Sequence, residues 1–269
     1  MRYAICNETF GDWDHSRICG TVAELGYTGL ELAPFMFAAR ITDFTATERS
    51  TIRQQAEAAG LTVVGLHWLL AKTEGFMLTS PDAGIRAKTA QYLGDLARAC
   101  RDMGGSLLVL GSPLQRRIPE GATYAQAMDY ALQTLEQVLP ALDETGMLLC
   151  LEPLAPAEAD FFNTATEGRQ MMTKLGHPLV KVHLDVKAMS SEADPVPKII
   201  RENADIMGHF HANDANKRGP GFGEVDFQPI FAALRDVDYT GWVSVEVFDY
   251  TPDPITIARE SLRYMRECE

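Results

Sequence analysis

The sequence predicts one (β/α)8 barrel of the α/β class, a TIM barrel, over residues 1–269. Short apolar runs alternate with longer stretches of helical periodicity from one end of the chain to the other. Eight such runs can be counted. The length of 269 residues is usual for a single barrel, and no Gly/Ser- or Pro-rich linker divides it.

The elements follow in order. YAIC (3–6) is the first strand, and DHSRICGTVAELG supplies an amphipathic stretch before GLELA (29–33). TATERSTIRQQAEAAG reads as a helix closing on Gly60, before TVVGLHW (62–68). AGIRAKTAQYLGDLARACRDMGG is a long helix with Gly104 near its end, followed by SLLVLGS (106–112) and then MLLCLEP (147–153). NTATEGRQMMTKLG offers Thr164 or Thr166 as N-cap and ends on Gly176. VKVHLDV (180–186), MGHFHA (207–212) and WVSVEVF (242–248) complete the set. A doubly wound sheet would want a Gly-rich fingerprint after an early strand, and CNETFGDW is not one.

Composition narrows the function classes. Hydrophobic content of 46% and charged content of 23% are those of an ordinary soluble globular protein. A net charge of −13 argues against nucleic acid, and against an anionic membrane surface, as partner. The five scattered cysteines never form a C-x-x-C pair, which fits reduced thiols. MRYAICNETF has no long apolar run, so neither a signal peptide nor a spanning segment is expected, and a cytoplasmic location follows.

Active sites of such barrels sit at the C-terminal strand ends. The late strands end at Glu152, Asp185, His211 and Glu246. Any one of these alone would read as a helix cap or an ion-pair partner. Together they bring three carboxylates into one buried place, where without a cation they repel one another. Three oxygen donors and one imidazole suit one divalent ion, Mn²⁺ or Mg²⁺ first, with Co²⁺ and Zn²⁺ also compatible. His209 lies two residues before His211 on the same strand face, and His183 two before Asp185, so both are assigned supporting or core roles. His67 and Trp68, ending the third strand, are candidates to line a pocket.

LEPLAPAEADFFNT (151–164), HLDVKAMS (183–190), HFHANDANKRGPGFGEVDF (209–227) and GWVSVEVF (241–248) resemble the xylose-isomerase-like barrels of sugar isomerases and epimerases. The nearest pattern is that of the D-tagatose and D-psicose 3-epimerases. The resemblance is clearest over 147–250 and implies a keto-sugar substrate, a bound metal, typically Mn²⁺, held by Glu152, Asp185, His211 and Glu246, and a dimer or tetramer. It implies further that Glu152 and Glu246 form an acid/base pair, moving a proton off one face of the substrate carbon and onto the other.

Around that pair the sequence departs from the pattern. Glu158 sits where the epimerases have a substrate-binding glutamate, but Ala188 stands where a substrate-binding histidine is expected. The expected arginine after HAND is Lys217 or Arg218. The substrate-binding set is therefore read as Glu158, His67, Lys187 and Arg218, around a pocket wider and less polar at Ala188 and suited to an extended or substituted keto-sugar. The alternatives are a metal-dependent dehydratase of the inosose or dehydroshikimate type on the same barrel and, more distantly, an apurinic endonuclease or a sugar-binding barrel without turnover.

Overall fold

The computed structural model describes residues 1–269. Eight parallel strands close in sequence order: β1 (Arg2–Cys6), β2 (Gly29–Leu32), β3 (Thr62–Leu66), β4 (Leu107–Leu110), β5 (Leu148–Leu151), β6 (Val180–Asp185), β7 (Met207–Ala212) and β8 (Trp242–Val245), with β8 returning to β1. Helices α1 (His15–Leu25), α2 (Ala46–Ala58), α3 (Ala83–Asp102), α4 (Tyr124–Glu136), α5 (Leu139–Thr145), α6 (Ala165–Leu175), α7 (Val186–Met189), α8 (Val196–Glu202), α9 (Phe227–Asp236) and α10 (Pro254–Cys268) connect them.

Local chemistry sets the helix ends. α2, α4 and α6 each begin with a capping box, pairing Thr45 with Glu48, Thr123 with Gln126 and Thr164 with Glu167. Of the two candidate caps for α6, Thr164 is the one used, and Gly176 ends that helix at a left-handed φ of 58°.

Four strands, β3, β4, β5 and β8, stop two or more residues short of the apolar runs that announced them. Trp68 and Ser112 take left-handed conformations, φ 53° and 49°, which end the pairing of β3 and β4. Glu152 and Glu246 are the first residues past β5 and β8. The runs continue beyond the ladders because the following residues, Leu154 and Val247 among them, are still buried.

The barrel interior is divided along its axis. Ala4, Val64, Leu107, Val109, Cys150 and Trp242 form a small apolar cluster. By strand alternation they lie below Cys6, Glu152 and Ser244, so this cluster fills the N-terminal half. The C-terminal half is polar, with Glu31, His183, Asp185, His209 and His211 all buried. The main core, including Leu30, Phe210 and Phe231, lies between the strands and the helices.

Candidate active site and metal centre

Each strand end delivers one side chain. Glu152 follows β5 and crosses above Gly111, where an added Cβ would collide with Glu152 Oε2. Glycine is what lets that carboxyl lie over β4. Asp185 ends β6 and caps α7, accepting from Ala188 N at 2.8 Å through Oδ1 and from Asn213 Nδ2 at 2.6 Å through Oδ2. The β6–β7 register puts Asp185 opposite His211 and His183 opposite His209. His211 presents Nδ1 to Glu246 Oε2 at 3.2 Å. Glu246 Oε1 accepts from Trp68 Nε1 at 2.6 Å and meets His67 Nδ1 at 3.1 Å.

Glu152, His183, Asp185 and His211 each offer a ligand atom, all within 4.8 Å of one another, and all four are buried. The sequence placed Glu246 in this quartet and gave His183 a supporting role. In the structure Glu246 reaches the group through His211, while both ring nitrogens of His183 lack a hydrogen-bond partner. The spacing of His183 two residues before Asp185 was the signal available for it.

The electrostatics show a site crowded with like charge. Burial, then Glu246 and Asp185, push the Glu152 carboxyl up to about 8. Burial also raises Asp185. Burial opposes ionisation of Glu246 too, but His211 and His67 outweigh it and hold that carboxyl well below its ordinary range. A divalent cation relieves the repulsion, and oxygen and imidazole donors are the kind it takes, so these residues fit a metal.

Beside this cluster lies a cavity of about 90 Å³ with Glu152, Glu246, Trp68, Glu158, Lys187 and Phe248 in its wall. Lys187 Nζ is 2.6 Å from Glu158 Oε2 and lies 4.6 Å from the centre of the Phe248 ring. Glu158 and Lys187 therefore both line this cavity. Three other expectations are corrected. His67 is fully buried and does not line the cavity. It sits beneath Glu246, with Nε2 2.9 Å from Glu8 Oε2, and burial is overridden by the Glu8 and Glu246 charges that raise its pKa well above the ordinary value. Arg218 is drawn outward to Asp249 (3.0 Å) and Thr251 (2.6 Å). Ala188 is buried outside the cavity wall, and the Lys187 ammonium makes the wall polar instead of open. Sequence reasoning missed Glu8 and Glu31, single acidic residues inside apolar runs or loops, and Arg116, whose Nη1 donates to the Glu152 carbonyl at 2.6 Å.

Carboxylates and imidazoles gathered at the C-terminal mouth of a closed barrel, beside a small cavity, are the arrangement of a barrel enzyme's active site. The family model described as xylose isomerase-like TIM barrel matches residues 19–268, and the chain belongs to that family. Among its relatives, D-psicose 3-epimerase of Agrobacterium fabrum is 31% identical over 233 residues, 84% of this chain and 77% of that protein. The 3-dehydro-D-guloside 4-epimerase of Escherichia coli is 32% identical over 138 residues, 51% of this chain and 52% of that one. The fold is shared with the crystal structure of D-psicose 3-epimerase in the presence of D-fructose, at a TM-score of 0.88 and 24% identity over 100% of this chain and 99% of that one.

Proposed function

We propose that this protein is a divalent-metal-dependent epimerase of keto-sugars, with Glu152 and Glu246 as its acid/base pair. The observation that carries the reading is their placement: two buried carboxyl groups, from β5 and β8, share the wall of one cavity. Abstracting a proton α to a carbonyl from one face and returning it to the other needs such a pair. His211 and His67 keep Glu246 ionised, and the contacts from Trp68 and His67 orient it as the base. Glu152 faces it across the same cavity as the acid. The ion, Mn²⁺ by preference, would be held by Glu152, Asp185 and His211 with Glu246 or His183, and supplies positive charge to polarise the carbonyl and stabilise the developing oxyanion.

The cavity's 90 Å³ is well under the roughly 300–1,000 Å³ of ordinary ligand pockets. It suits the reacting carbons, with the remainder of the substrate extending outward. A second hollow of about 240 Å³ lies on the other side of the Glu158–Lys187 pair, with Ala155, Ala215 and Lys217 in its wall. That hollow supports a substituted or extended keto-sugar over a free ketohexose, in keeping with the 3-dehydro-D-guloside named for the Escherichia coli relative.

The test is a panel of free ketohexoses, keto-glycosides and inososes, incubated with Mn²⁺-loaded protein in D₂O and followed by NMR. Epimerisation with deuterium entering at the inverted carbon, faster for keto-glycosides than for free ketohexoses, is expected. Loss of water from an inosose would make the protein a dehydratase, and binding without exchange would leave it a sugar-binding barrel.

A further inference from the structure

Glu31 lies in the middle of β2 and is fully buried. A carboxylate in such a place is costly unless partnered. Its two oxygens are divided between two imidazoles: Oε1 is 3.1 Å from His211 Nε2 and Oε2 is 2.8 Å from His209 Nε2. β1 and β8 separate β2 from β7, so these contacts cross the barrel interior and no backbone ladder enforces them. The other nitrogen of His211, Nδ1, faces Glu246.

We propose that Glu31 is a positioning residue for the metal centre: it holds His211 with Nε2–H turned toward its own carboxylate and Nδ1 turned toward the metal, while His209 braces its second oxygen. The inference rests on the metal-site reading above. A neutral imidazole has one nitrogen to give to a metal, and the partner of the other nitrogen decides which one and in what orientation. A carboxylate in that role also strengthens the ring as a donor. His209 also turns Nε2 to Glu31, but it is His211 whose ligand atom gathers with those of Glu152 and Asp185.

The experiment compares the full-length wild type, Glu31→Gln and Glu31→Leu, each loaded with Mn²⁺. The rate of metal release into excess EDTA is measured, starting from loaded protein so that protons carried by the empty site do not enter. Glu31→Leu is expected to release the ion about 10–100-fold faster than wild type. Glu31→Gln should fall between them, because its amide oxygen still accepts from His211 Nε2–H. Nitrogen-15 NMR of the Zn²⁺-loaded wild type should show His211 bound through Nδ1 with a proton on Nε2. A merely structural glutamate would lower thermal stability without this graded release. Wild-type release from Glu31→Leu, or from Glu31→Gln should the leucine variant not fold, overturns the inference and leaves the epimerase reading intact. So does ligation through Nε2. A wild type that holds no divalent ion overturns both.

Discussion

Replacing Glu152 by Gln is expected to stabilise the metal-free protein while disabling it. The Glu152 residue is only 7% exposed, and the bond it receives from Arg116 goes to its carbonyl, so the change at the carboxyl leaves that bond in place. In the unfolded chain the carboxyl ionises above its ordinary 4.5, whereas in the fold burial, Glu246 and Asp185 keep the proton on until about 8. Each pH unit inside that window favours the unfolded state by about 1.4 kcal/mol. The penalty is absent below the lower value, grows with rising pH and levels off above the upper one. At pH 7 it amounts to roughly 3 kcal/mol, an order-of-magnitude figure from the linkage relation. Glutamine has nearly the same shape and cannot ionise, so it removes the penalty. For a chain of this size that is about 6–12 °C in melting temperature. The assay is thermal unfolding of EDTA-treated wild type and variant between about pH 4.5 and 8.5. The gap should be near zero at the acid end and widen toward neutrality. Added Mn²⁺ should reverse the order, because the variant has lost a charged ligand. A variant that melts at or below wild type at pH 7 without metal, or a gap indifferent to pH, would refute the crowding argument.

Glu246→Gln and Glu152→Gln are each expected to lower turnover by about 10²–10⁴, read as kcat on the best keto-sugar of the panel. His209→Gln should be milder, since the one hydrogen bond of the His209 ring goes to Glu31; an equal loss with metal still bound would remove that distinction. Trp68→Phe keeps an aromatic ring in the cavity wall but deletes the 2.6 Å donor to Glu246 Oε1. A hydrogen bond to a charged group contributes about 1.5–3 kcal/mol, so kcat should fall roughly 10–100-fold with metal content unchanged. Unaltered kcat would show that His67 alone orients the base.

Legibility differed from one part of the molecule to another for definite reasons. Alternation of apolar runs with helical stretches is a local pattern, and all eight strands were readable from it. Strand ends were less so, because burial continues past the last ladder bond at Leu66, Leu110, Leu151 and Val245. Glu152, Asp185, His211 and Glu246 were readable because barrel geometry tells which end of a strand carries chemistry. Glu31 was not, since one acidic residue in GLELA looks like an ordinary polar position until the barrel closes around it.

The sequence by itself determined the closed barrel, the apolar faces that make it fold and the acidic and imidazole residues at its late strand ends, because each is encoded in neighbours a few residues apart. Only the tertiary structure decided the partners. Glu31 meets His209 and His211 across the barrel, Glu8 meets His67 beneath Glu246, Lys187 turns to Glu158, and Arg218 turns away to Asp249. Those pairings depend on strand register and barrel closure, which place Glu31 and His211, 180 residues apart in sequence, 3.1 Å from each other. A buried charge takes whatever opposite partner that geometry brings within reach, and no local pattern names it in advance.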